Sequence, residues 1–106
     1  TTSFFLFQNR CSMTLMQKRL ECTVFGRVQM VMFRDFVKRS ARALGITGTV
    51  KNNIDGSVSI VAEGEESVLR ELLVRANRGS IFARVDCVKE KWLAPLGEFK
   101  TFDILY

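Results

Sequence analysis

Val24-Phe25-Gly26-Arg27-Val28-Gln29-Met30-Val31-Met32-Phe33-Arg34 decides how this chain is read. It opens as an apolar, strand-like stretch that ends at Gly26. A short loop follows, and Phe33-Arg34 then opens an amphipathic helix. A loop that feeds a helix N-terminus presents backbone N–H groups with no intrahelical acceptor, and the helix dipole adds partial positive charge there. Such a place suits an anion. Arg34 adds a permanent charge and a planar donor fork matched to phosphate oxygens. Read alone, Arg34 is also consistent with a solvated arginine in a first helical turn.

The flanks extend the pattern. From Arg19 to Gly26, Leu20, Cys22 and Val24 alternate with Glu21 and Thr23, which predicts a strand with one buried face. Phe33, Phe36, Val37, Ala41 and Leu44 recur at helical spacing, with Lys38, Arg39 and Arg42 on the outer side and Gly45 as the stop. Thr47 to Asn53 reads as a second strand. Asn53-Ile54-Asp55-Gly56 supplies a turn, and Ser57 to Glu63 returns as a third strand, broken at Gly64. Val68, Leu69, Leu72, Leu73 and Ala76 predict a second amphipathic helix ending around Asn77–Gly79. Phe82 to Lys89 reads as a fourth strand, Pro95-Leu96-Gly97 as a loop, and Thr101 to Tyr106 as a last strand. The order is β-α-β-β-α-β with an extra terminal strand. That predicts an α+β, ferredoxin-like split β-α-β sandwich: two helices on one face of an antiparallel sheet, plus a short C-terminal strand. Many functions share this arrangement, so it settles no chemistry.

Composition narrows the field. At 106 residues and 47% hydrophobic, the chain fits one domain with a real core. Nine Phe and one Pro argue against disorder. A net charge of +5 favours anionic partners, but the Lys and Arg residues are scattered, so nucleic acid is not an expected partner. The chain has no His, which removes the usual general base and the Ser-His and Cys-His nucleophile systems. Cys11, Cys22 and Cys87 are odd in number and widely spaced, a poor disulfide framework and a poor zinc site. Cys22 and Cys87 are expected as buried thiols within strands, and this cysteine usage points to a reducing, cytoplasmic setting. Residues 1–18 are expected to be an N-terminal tail outside the functional unit, which then spans residues 19–106. The run Ser3-Phe4-Phe5-Leu6-Phe7 is too short to span a bilayer and lacks signal-peptide flanks, so no membrane role is expected.

Four pieces stand in order: Val28-Gln29-Met30-Val31-Met32-Phe33-Arg34, Gly48-Thr49-Val50-Lys51-Asn52, Asp55-Gly56-Ser57-Val58, and Phe102-Asp103-Ile104-Leu105-Tyr106. Together they resemble the acylphosphatase family over roughly Lys18 to Tyr106. The resemblance implies hydrolysis of a small-molecule acyl phosphate to a carboxylate and inorganic phosphate, with no metal, cofactor or covalent enzyme intermediate. It implies that Arg34 binds phosphate and stabilises the transition state. It implies a cradle of backbone N–H groups over Arg27, Val28, Gln29, Met30, Val31 and Met32. It further implies that Asn52 orients the attacking water, although an Asn near a turn also bonds its own backbone. A small monomer is the expected form. Because an acyl phosphate is a mixed anhydride with a good leaving group, positioning and electrostatics carry most of the catalytic demand.

The chain departs from the family at Met30, which replaces a glycine. A positive φ there would cost a methionine roughly 1–2 kcal/mol. Met32 occupies a more permissive family position. Thr49 replaces the usual aromatic residue, and Ser80 stands where proline commonly follows glycine; both read as packing changes. Three functions therefore stay open: an active acylphosphatase with a remodelled loop, a catalytically weak acylphosphatase-like anion-binding module, and a basic ferredoxin-like domain that binds nucleic acid or protein.

Overall fold

The computed structural model describes residues 16–30, 32–80 and 82–106. The tail expected over residues 1–18 lies outside the described residues as far as residue 15, and Cys11 with it. The elements are β1 (Gln17–Arg27), α1 (Phe33–Ala43), β2 (Thr47–Asn52), β3 (Val58–Glu65), α2 (Glu66–Arg78), β4 (Arg84–Leu93) and β5 (Phe102–Leu105). They form one five-stranded sheet in the order β4-β1-β3-β2-β5. The four strands β4, β1, β3 and β2 pair antiparallel. The short last strand pairs parallel with β2, Gly48 opposite Phe102, so the sheet is mixed.

Alternation sets the two faces. Leu20, Cys22, Val24, Val50, Val58, Ile60, Ala62 and Phe102 are buried beneath the helices. From α1 come Phe33, Val37 and Ala41, and from α2 Leu69, Leu72, Leu73 and Ala76. Each fully buried Leu, Val or Phe contributes on the order of 1.5–3 kcal/mol by leaving water. α1 lies over β2 and β5, and α2 over β1, β3 and β4.

Several expectations need correction. β3 runs through Gly64 to Glu65, because Gly64 pairs with Lys18 and its backbone is not left-handed. β4 begins at Arg84 rather than Phe82 and continues to Leu93; it is an edge strand with little burial, so its alternation is weak. Cys87 is exposed, whereas Cys22 is buried as expected. Gly48 has φ 147°, and a Cβ there would collide with the Val61 carbonyl oxygen. The glycine therefore permits the close β2–β3 approach that delivers Asn52.

Polar contacts hold β5 in place. The Arg19 guanidinium, a tenth exposed, donates to Glu63 at 2.9 Å and Glu98 at 2.8 Å. Glu63 also accepts the Leu96 and Gly97 N–H groups at 2.9 and 3.0 Å. Burial would raise the Glu63 pKa, but those amides and Arg19 outweigh it and hold the carboxyl below its usual range. This cluster ties the loop before β5 to the sheet. Arg42 clamps the strand itself, donating to the Phe102 carbonyl at 2.9 Å and to Asp103 at 3.0 Å.

Candidate active site

The loop between β1 and α1 is shaped by two left-handed residues, Met30 at φ 59° and Met32 at φ 61°. Met32 is also the N-cap of α1. Both methionines carry the same backbone penalty, roughly 1–2 kcal/mol each. Left-handed residues are one half of the alternation that builds anion-binding backbone nests. Strain of this kind persists only where surrounding structure over-determines it. Just upstream, the β1–β4 register shifts between Phe25 and Gly26, a bulge that redirects the strand end into the loop.

Helix α1 has no side-chain N-cap, and its first intrahelical donor is Phe36 N–H to Met32 O at 3.0 Å. The N–H groups of Phe33, Arg34 and Asp35 thus have no acceptor within the helix. Those three residues line a pocket of about 220 Å³ together with Val28, Met30, Met32, Lys38, Ile104 and Tyr106. The Arg34 guanidinium carbon lies 5.1 Å from the Tyr106 ring centre, a cation–π distance. Among the described residues no carboxylate forms an ion pair with Arg34. Its neighbour Asp35 instead engages Arg39 at 2.8 Å and Lys38 at 3.9 Å.

A second depression adjoins the first, lined by Lys51, Asn52, Asn53, Ile54, Asp55 and Tyr106. Tyr106 lines both, so Arg34 and Asn52 sit in neighbouring depressions at one end of the sheet. Asn52 Oδ1 is buried with no hydrogen-bond partner, alone in this among the side-chain polar atoms of the described residues. An orphan of this kind costs about 1–3 kcal/mol.

The hairpin is braced from several sides. Asn53 Nδ2 donates to the Ser57 and Ser59 hydroxyls at 2.9 and 2.8 Å. Asp55 accepts from the Ser57 N–H at 2.9 Å and its hydroxyl at 2.6 Å. Those bonds, the hydroxyl first, lower the Asp55 pKa. Gln29 Nε2 donates to the Asn53 and Ser57 carbonyls at 2.8 and 2.9 Å. The Gln29 carboxamide therefore fixes the loop to the hairpin that carries Asn52.

Of the expected cradle residues, Val28, Met30 and Met32 line the Arg34 pocket, and Gln29 turns its side chain to the hairpin. Arg27 ends β1 opposite Arg84 and is not part of that lining. Val31 lies outside the described residues. Lys38 and Tyr106 are among the lining residues that the sequence did not mark as part of the site. Lys38 was placed on the outer face of α1, although its i+4 spacing from Arg34 puts both on one side. Tyr106 arrives through the parallel β2–β5 pairing, which four residues of strand do not announce.

With this geometry in hand, the comparisons are specific. The family model described as Acylphosphatase matches residues 20–104. An acylphosphatase from Caldanaerobacter subterraneus subsp. tengcongensis is 44% identical over 89 residues, covering 84% of this chain and 99% of the relative. A crystal structure of acylphosphatase from Bacillus subtilis superposes with TM-score 0.82 at 36% identity, covering 84% of this chain and 99% of that one. The structure of an acylphosphatase from Coxiella burnetii gives TM-score 0.79 at 31% identity, covering 84% of this chain and 93% of that one. The class defined by the fold is a ferredoxin-like α+β domain with an uncapped helix N-terminus at one end of its sheet. Within it, this chain belongs to the acylphosphatase family and is an enzyme that hydrolyses acyl phosphates. No helix among the described residues is long and apolar enough to cross a membrane.

Proposed function

We propose that Arg34 and the backbone N–H groups of the loop bind the phosphate, and that Asn52 holds the attacking water. The observation that carries this reading is the neighbourhood of Asn52 and Arg34: their depressions share Tyr106, and the Arg34 pocket is also lined by the uncapped start of α1. The Asn52 carboxamide holds the water by hydrogen bonding, with a lone pair of the water oxygen facing phosphorus. The new O–P bond forms as the bond from phosphorus to the acyl oxygen breaks. The bonding pair leaves with the carboxylate, and the proton shed by water is taken up by a phosphate oxygen or solvent. Charge on the equatorial oxygens is met by Arg34 and the α1 N-terminus, donors already in place before reaction. The leaving carboxylate needs no general acid, so a chain without His suffices for the chemistry.

The protein acts in this reading as a cytoplasmic monomer on small acyl phosphates, with residues 19–106 as the catalytic unit. The catalytically weak alternative draws on the strain at Met30 and Met32. Asn52→Ala tests the division of labour. Turnover should fall about 100-fold, the scale of a lost positioning contact, while competitive inhibition by inorganic phosphate stays within about twofold. An unchanged turnover would remove Asn52 from the reaction.

A further inference from the structure

Large apolar side chains that stand fully in solvent are ordinarily scattered singly, and a cluster of them marks a recognition surface. Here four of them gather at one place. Met30 and Tyr106 are each 98% exposed, Met32 69%, and Ile54 stands fully out at the hairpin tip. Met30, Met32 and Tyr106 share the Arg34 pocket, and Tyr106 and Ile54 share the Asn52 depression. The Gln29 bonds to Asn53 and Ser57 lock the loop that bears the methionines to the hairpin that bears Ile54. The apolar side chains therefore border a common mouth.

We propose that Met30, Met32 and Ile54 form an apolar collar that recognises the acyl group, selecting acyl phosphates with an aromatic or bulky alkyl acyl group over acetyl phosphate. The proposal rests on the acyl phosphate reading of this same site. With the phosphate seated against Arg34 and the helix start, the acyl group extends outward to the mouth. What meets it there is two thioethers, a branched alkyl chain and the Tyr106 ring. Methionine suits such a rim, because its unbranched, polarisable chain adapts to irregular partners and packs well against aromatic rings. A charged acyl group finds a poorer match. Lys38 in the pocket is engaged by Asp35, and Lys51 shares the hairpin depression with the carboxylate of Asp55. The collar also gives the two strained methionines a use that glycine would not supply.

The test is kcat/KM for benzoyl phosphate and for acetyl phosphate, measured on the wild type, on Met30→Ser/Met32→Ser and on Ile54→Ser. Serine keeps a Cβ at both left-handed positions, so the backbone strain is held constant. Both substrates use the same cradle, so altered cradle geometry or a smaller folded fraction cancels in their ratio. The benzoyl-to-acetyl ratio should fall about tenfold in the double variant, the lower end of what one apolar contact discriminates. In Ile54→Ser it should fall about threefold. A ratio that stays within twofold of wild type in both variants, with both substrates hydrolysed, overturns the collar and leaves the acyl phosphate reading standing. A wild type that hydrolyses neither substrate overturns that reading, and the collar with it.

Discussion

Replacing Met30 by glycine should stabilise the protein. Met30 sits at φ 59°, where a non-glycine residue costs roughly 1–2 kcal/mol. Its side chain is 98% exposed, so truncation forfeits almost no packing. The gain is offset by the greater freedom of glycine in the unfolded chain, about 0.4–1 kcal/mol. The net expectation is a stabilisation of about 0.5–1 kcal/mol. Met30→Ala is the control, because it keeps a Cβ in the left-handed conformation and should stay within about 0.5 kcal/mol of wild type. Urea unfolding of the three proteins, with a common m-value, gives both differences directly. The strain argument fails if Met30→Gly is no more stable than Met30→Ala. Met32→Gly should behave alike, since Met32 shares the conformation at φ 61°. The two substitutions lie close enough to couple, so the double variant need not show their sum.

Other expectations follow from the polar clusters and the chemistry. Glu63→Ala leaves the buried Arg19 with only the half-exposed Glu21 and Glu98, and should cost about 3 kcal/mol of unfolding free energy. Because the Glu63 pKa is lowered on folding, its contribution is fully present above the unfolded carboxylate pKa and is lost as pH falls through the lower folded value. The stability gap between wild type and Glu63→Gln should therefore close progressively below about pH 4, and a gap that widened there would reverse the sign of the argument. Burial pushes the Cys22 thiol up to about 12, with Glu90 adding to the effect, so an alkylating reagent at pH 8 should modify exposed Cys87 in the native protein and Cys22 only after unfolding; peptide mass mapping distinguishes them. Hydrolysis in oxygen-18 water should place the label in phosphate, and label in the carboxylate would show attack at the acyl carbon instead.

Where the sequence was informative, a single period dominated. Leu20, Cys22 and Val24 alternate cleanly because β1 is central and one of its faces is covered by helices. Phe33, Val37 and Ala41 mark α1 for the same reason. The edge strand β4 was misplaced at both ends, since its exposed residues feel no burial pattern, and Cys87 was misread with it. Gly64 looked like a breaker, yet pairing with Lys18 carries β3 straight through it. At the site, local chemistry was legible: a loop before a helix, an arginine in its first turn, an Asp-Gly turn after Asn52. Tertiary pairing was not. The parallel docking of β5 brings Tyr106 against Arg34 and Asn52, and nothing in Phe102–Leu105 encodes the direction of its partner. Nor did the sequence reveal that two methionines in succession of turns would both be left-handed. That conformation belongs to the loop, and the residues there bear its cost.

The central claim is that Arg34 is the phosphate-binding charge of an acyl phosphate hydrolase. The most direct measurement is metal-free hydrolysis of benzoyl phosphate by wild type and Arg34→Ala, each with and without inorganic phosphate as competitor. The account predicts activity in the wild type, a loss of at least 100-fold in the variant, and disappearance of phosphate competition in whatever activity remains. A variant that keeps phosphate competition and a rate within tenfold of wild type would contradict it.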